Sequence, residues 1–305
     1  MTSTPDPNEH RQQMLETWDR AASGWSRRAE RIREFGMPVS RWMLEQLALQ
    51  PGQRVLELAA GPGDTGFLAA EVIRQPDDSG AAGSGEAGRR AARNPEGTLV
   101  CSDASEAMLS VARERARQLA VENVEFRQLE LEWIDLPAAS VDAALCRWGV
   151  MLCVDPGAAV REIRRVLRPG GRVSLAVWDD AALNPWATIP TRALIHTGHA
   201  SPPDPNAPGQ FALSAPGRLL ELLEGAGFTE VIVEPIDVSL ALPSLDELLA
   251  GTLDLSPLFA EAFERLSDAQ RAEVISELAS LAEPVRKLDG SLHLRGRSLG
   301  GAASA

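Results

Sequence analysis

Apolar residues in the first half of the chain fall into two kinds of run. Short, largely apolar blocks occupy 54–59, 98–103, 141–147 and 172–178, with a more polar one at 123–129, and stretches of helical period lie between them at 67–73, 104–119 and 155–167. Apolar blocks of this length read as strands buried on both faces, a situation provided by a parallel sheet with helices on either side. The alternation predicts a doubly wound, mostly parallel α/β sheet. Before it, 11–50 reads as helices broken near Gly24 and Gly36-Met37-Pro38. After it come a short helix at 187–196, a proline-rich coil, a helix at 214–226 stopped by Gly227, a strand at 228–234 and a long helical stretch at 243–287. A last strand at 292–302 brings the expected sheet to seven strands. The expected organisation is a helical cap segment at 1–50, an α/β core at 51–180, and a remainder at 181–305. That remainder completes the sheet and carries cap insertions at about 181–213 and 243–287. Residues 75–97 lack apolar period and are rich in Gly, Ala and Ser, the composition of a flexible surface insertion.

The first strand runs into Gly61-Pro62-Gly63-Asp64-Thr65-Gly66. A strand, a glycine-rich turn and a helix bring bare backbone N–H groups to the carboxyl edge of a sheet, where a nucleotide-like ligand can lie against the chain. Two ligands compete. The segment satisfies G-x-G-x-x-G, the dinucleotide pattern. Glu57, at the strand's end, places a carboxylate where a cationic ligand end is welcome and a pyrophosphate is not.

Glu57-Leu58-Ala59-Ala60-Gly61-Pro62-Gly63 resembles the first motif of class I S-adenosylmethionine-dependent methyltransferases, with Ala59 standing where that motif has its first glycine. The resemblance extends through about Trp178 and is nearest to the methyltransferases of ubiquinone and menaquinone biosynthesis and their small-molecule relatives. It implies a Rossmann-like methyltransferase fold, S-adenosyl-L-methionine as cofactor, and a cofactor site of Glu57, Ala59, Gly61 and Gly63. Trp25, in a Trp-x-Arg-Ala-Ala-x-x-Trp segment, would close over the cofactor; equally, Trp18 and Trp25 pack on one helix face. Asp103 ends the second strand, where an acid meets the ribose hydroxyls about 20 residues past the turn. It lies 40 residues past Gly63 (103 − 63), and removing the 23 residues of the insertion restores a normal distance. Ala104 and Met108 follow on the adenosine side, though core packing explains Met108 as well. The match to an Asp-Ala-x-x-Leu-Pro segment gives Glu132 the adenine-amino contact and Trp133 the next place. Arg147 joins the cofactor set at the exit of the fourth strand. Leu-Arg-Pro-Gly-Gly-Arg at 167–172 is frequent in these methyltransferases and not expected of dehydrogenases.

Methyl transfer from a sulfonium is an in-line displacement that needs no protein nucleophile, so positioning supplies much of the rate. A hydroxyl or amine acceptor needs a base. Candidates are His196, His199 and Asp179; the alternative for Asp179-Asp180 is helix capping. Trp148, Met151, Trp178 and Trp186 are expected on the acceptor side, implying a flat or apolar small molecule, with a packed core as the competing reading. Absence of tyrosine removes phenolic bases, and no ligand pattern suggests a metal.

A net charge of −13 and a pI near 4.9 repel phosphate backbones and anionic membranes, which argues against nucleic acid. The arginine clusters at 27–28, 31–33, 89–90 and 161–165 read as solvated helix faces. Cys101, Cys146 and Cys153 read as buried reduced thiols. With no leader pattern and no apolar run of membrane-spanning length, the expectation is a cytoplasmic protein without an integral membrane segment. The reading is a methyltransferase acting on O, C or N of a small organic acceptor. Alternatives are a nicotinamide-dependent oxidoreductase and a protein that binds S-adenosylmethionine without turnover.

Overall fold

The computed structural model describes residues 7–74, 97–204 and 207–305. The expected insertion, apart from Gly97, and Arg89-Arg90 lie outside those residues. Two helices, α1 (Pro7–Arg27) and α2 (Ala29–Leu47), precede β1 (Arg54–Leu58) and α3 (Asp64–Ile73). Then follow β2 (Thr98–Asp103), α4 (Glu106–Gln118), β3 (Val124–Gln128), β4 (Val141–Arg147), α5 (Pro156–Val166) and β5 (Leu167–Trp178). The last part contains α6 (Pro185–His196), α7 (Arg218–Gly225), β6 (Thr229–Leu242), α8 (Leu245–Leu255), α9 (Pro257–Glu264), α10 (Asp268–Ala282) and β7 (Leu292–Ser304).

The expected doubly wound sheet is borne out. Its order is β3-β2-β1-β4-β5-β7-β6, parallel from β3 through β5, with β7 inserted antiparallel between β5 and β6. The chain winds outward from β1 to β3, then returns to place β4 on the other side of β1. That reversal makes the carboxyl ends of β1 and β4 the switch point, where crossovers diverge and a crevice opens. Register sets Leu58 beside Cys146, so the glycine turn after β1 faces the segment 147–149 after β4.

Several expected boundaries change. The helix breaks at Gly24 and Gly36-Met37-Pro38 do not occur; α1 and α2 run through them and meet at Arg28. Both glycines serve close approach instead. A β-carbon on Gly24 would lie 1.9 Å from the Asp254 carbonyl oxygen, and one on Gly36 1.7 Å from Arg147 Nη1. Helix α3 starts at Asp64 rather than 67, directly from the turn. Arg168-Pro169-Gly170-Gly171 belongs to β5 as an irregularity in its pairing with β4. Strand β6 runs eight residues past the expected 234, because Ile236, Val238, Leu240 and Leu242 alternate and pair with β7 beyond the end of β5.

That extension seeds a second core. Leu242, Leu292 and Leu294 pack with Ile189, Leu194, Leu248, Phe259, Phe263, Val274 and Leu278 of α6 and α8–α10, apart from the main core between the sheet and its flanking helices. The three cysteines are buried and free, as expected. Among the described residues no helix is long and apolar enough to cross a membrane.

Candidate active site

The turn after β1 is built from left-handed backbone: Ala59 (φ 49°), Gly61 (φ 53°) and Gly63 (φ 85°). Asp103, at the end of β2, braces it. Its Oδ2 accepts from Gly61 N at 2.9 Å and its Oδ1 from Ser105 N at 2.9 Å, so one carboxylate ties the turn to the start of α4. Burial raises the Asp103 carboxyl's pKa, and the N–H groups of Ser105, Gly61 and Ala104 pull it back. Ser105 caps α4 by accepting from Met108 N at 3.0 Å and donates to Asp19 Oδ1 of α1 at 2.6 Å.

Glu57 is buried beneath the first turn of α3, where Oε1 accepts from Gly66 N at 2.7 Å and Oε2 has no partner. Burial drives its carboxyl from the usual 4.5 to about 8, against the Gly66 N–H and Arg147 and with the help of Asp64. Asp64, also buried, opens α3 and accepts from Arg115 Nη2 at 2.8 Å. The N-terminus of α3, the place for an anion in a dinucleotide fold, thus already holds two of the protein's own carboxylates.

Helix α1 roofs the turn. A β-carbon on Gly61 would lie 3.9 Å from the Trp25 ring, while Trp18 meets Trp25 edge-on at 5.7 Å and both pack with Ala21, Ala22 and buried Met108. The packing of Trp18 against Trp25 on one helix face is thus seen, with Trp25 lying over the glycine turn. The roof is latched to α8: Trp25 Nε1 donates to Leu255 O at 3.3 Å, and Arg28 pairs with Asp254 (2.6 Å) and Glu247. Arg27 pairs with Asp254, and Arg31 reaches Glu247 at 3.5 Å. The clusters at 27–28 and 31–33, expected as solvated faces, supply this interface through Arg27, Arg28 and Arg31, because acids on α8, distant in sequence, come opposite them.

Beyond β4, Trp148 stacks on Trp178 with centroids 4.2 Å apart, and Trp186 closes on Trp178 at 4.7 Å. The three expected indoles do converge. Phe35 of α2, which sequence reasoning missed, touches all three, at 6.2, 5.8 and 5.3 Å. Trp148 adopts φ 63°, an outlier for a bulky side chain. It is held by its N–H on Ala176 O (2.8 Å) and its indole on Ser298 Oγ (3.1 Å). Arg147 places its guanidinium 4.6 Å above the Trp148 ring. Met151 is buried in a short turn after β4.

Other expected residues lie elsewhere. Trp133 is 75% exposed and stacks on no ring among the described residues, since the loop after β3 turns it outward while Leu131 approaches Gly149. Glu132 accepts from Arg11 of α1 and from Asp155 N at the start of α5, so it fastens elements rather than facing the turn. His196 binds Glu277 of α10 at 2.8 Å on the surface, and His199 follows it. Trp186 and His196 are separated by ten residues of helix, about 15 Å of rise, so α6 carries both histidines away from the aromatic group. Asp179 Oδ1 accepts from Asp180 N at 2.7 Å, and Asp180 caps the next turn through Ala182 N at 2.8 Å.

Residues 78–175 match the methyltransferase domain family. The resemblance seen in the chain's motifs is thereby borne out. The chain is 34% identical over 142 residues to the 2-phytyl-1,4-naphtoquinone methyltransferase of Synechococcus elongatus, covering 44% of this chain and 50% of that one. It is 27% identical over 254 residues to nocamycin O-methyltransferase of Saccharothrix syringae, covering 80% and 83%. The fold is shared with the YcgJ protein of Bacillus subtilis at a TM-score of 0.53 and 18% identity, over 87% of this chain and 97% of that one. The chain spans half the length of the naphthoquinone relative, and the family match begins after the glycine turn.

Proposed function

We propose that this chain transfers a methyl group from S-adenosyl-L-methionine to O, C or N of a small, flat organic acceptor. The observation that carries the reading is the juxtaposition, across the β1/β4 switch point, of a braced glycine turn roofed by Trp25 with the aromatic group of Phe35, Trp148, Trp178 and Trp186. On this reading Ala59, Gly61, Gly63, Asp103, Ala104 and Met108 hold the donor's nucleoside, with Trp25 above. At the start of α3, buried Asp64 and the unpartnered Oε2 of Glu57 favour a sulfonium donor with an ammonium end over a pyrophosphate. When bound, the donor supplies an electrophilic methyl group. The chain's residues orient it, exclude water and align the acceptor, and such alignment is worth about 7–11 kcal/mol. The division into cap, core and completing segments fits the two separate cores, and a cytoplasmic location fits the free buried thiols.

Calorimetric titration with S-adenosylhomocysteine, NAD and NADP tests the cofactor. Micromolar binding of the first alone is expected; binding of a nicotinamide nucleotide instead would make the chain an oxidoreductase. Incubation with labelled donor and an acceptor panel then separates an enzyme from a protein that binds without turnover.

A further inference from the structure

We infer that the acceptor reaches the site as an anion and that Arg147 receives it. This rests on the methyl-transfer reading and names its acceptor class: a planar compound bearing a carboxylate or an acidic phenol or enol.

The Arg147 side chain forms no hydrogen bond or ion pair among the described residues, and its Nη1 is buried without a partner. Glu57 and Asp64, the acids whose charges reach it, each engage one oxygen elsewhere, on Gly66 N and on Arg115, and neither forms an ion pair with it. A buried cation with no counter-charge is costly unless something pairs with it. Space is made for this one: Gly36, inside α2, is where a β-carbon would come within 1.7 Å of Nη1. Glycine in a helix interior is less stabilising than alanine, so the helix gives up stability where the guanidinium sits. Burial lowers the Arg147 pKa while Asp64 and Glu57 oppose it, and an arginine stays charged. Its planar head lies on Trp148, so the cation belongs to the aromatic side, whereas the glycine-turn side is rich in carboxylate.

The same surroundings leave a neutral hydroxyl acceptor without a base. Both histidines are at the far end of α6, Asp179 is engaged with Asp180, and the chain has no tyrosine. An acceptor that arrives ionised needs none. Its oxygen lone pair forms the new O–C bond to the methyl carbon as the S–C bond breaks with its electrons left on sulfur. The sulfonium and oxyanion charges disappear together and no proton is released. A guanidinium offers the paired N–H donors that suit such an oxyanion.

The test titrates the protein saturated with S-adenosylhomocysteine against 2-naphthoate and its neutral isostere 2-naphthamide, read by tryptophan fluorescence. Naphthoate is expected to bind about tenfold or more tightly than the amide. Arg147→Met should abolish that preference with S-adenosylhomocysteine affinity changed less than about twofold, and Arg147→Lys should keep part of it. Equal binding of the two probes, or binding of neither, overturns the inference without a variant. A loss of about tenfold in S-adenosylhomocysteine affinity in Arg147→Met also overturns it, assigning the arginine to the donor. If the wild-type protein does not bind S-adenosylhomocysteine, the methyl-transfer reading itself has failed.

Discussion

The β-carbon of Ala59 stands 2.5 Å from the point a β-carbon on Gly149 would occupy. Two loops, one after β1 and one after β4, meet at this spot, and only one of them has a side-chain atom there. Ala59 carries that atom in a left-handed conformation, φ 49°, for which glycine is better suited.

Ala59→Gly should therefore stabilise the protein by roughly 0.5–1 kcal/mol, the relief of about 1–2 kcal/mol of strain less the greater flexibility of an unfolded glycine. Gly149→Ala should cost about 1–3 kcal/mol through crowding against Ala59 and Cys146 Sγ. The double variant should recover part of that cost. Urea unfolding of the four proteins measures the coupling, and strict additivity would mean that the loops separate when crowded.

Asp103→Ala should weaken S-adenosylhomocysteine binding by about 1.5–3 kcal/mol, or roughly 10- to 150-fold. It should also lower the melting temperature, because Gly61 N and Ser105 N lose their acceptor. Calorimetry and thermal unfolding read the two effects separately. Unchanged affinity would remove Asp103 from the donor site and leave it as a brace.

Glu57 gives a pH dependence whose sign follows from its raised pKa. The folded state holds the proton up to about 8, whereas the unfolded chain releases it near the usual 4.5. This group's stabilising contribution is complete below the lower value and is lost as pH rises through the upper one. Glu57→Gln keeps an acceptor for Gly66 N, so stability should fall less between those values than in the wild type. At pH 9 the variant should be the more stable by on the order of a few kcal/mol. Denaturant unfolding across that range checks it; parallel curves would show that Glu57 is ionised in the folded protein.

Asp254→Ala should loosen the roof, since the carboxylate accepts from both Arg27 and Arg28. These pairs are partly exposed, so the expected loss is about 1 kcal/mol and should shrink in high salt. Trp25, hydrogen-bonded to the neighbouring Leu255, should report the change by fluorescence. Stopped-flow binding of S-adenosylhomocysteine should show faster dissociation. An unchanged rate would make α8 a fixed wall.

Much of the fold was legible in sequence because its signals are local. Strands β2 and β4 have the bounds that their apolar blocks predict, and the glycine turn lies where the motif places it. The site was legible where a motif carried it and illegible where it depended on packing. Asp103 was found as a strand-end acid, yet its two backbone partners were invisible. Trp133 was given a stacking role by a six-residue match, and the structure leaves its ring 75% exposed on the loop after β3. Phe35 carried no signal, since its partners lie more than 100 residues away along the chain. The alternation of Ile236, Val238, Leu240 and Leu242 was a signal that would have extended β6.

By itself, the order of apolar blocks and glycine turns determined a doubly wound sheet and the place of its nucleoside-like crevice, because hydrophobic period and turn chemistry act over a few residues. Tertiary structure alone decided which side chains face that crevice. It turned Gly24 and Gly36 from expected breaks into points of close approach, sent His196 to the far end of a helix, and left Arg147 beside stacked indoles without an ion-pair partner among the described residues. Those outcomes depend on which distant segments come to lie against one another, a property of the packed chain that no local pattern encodes.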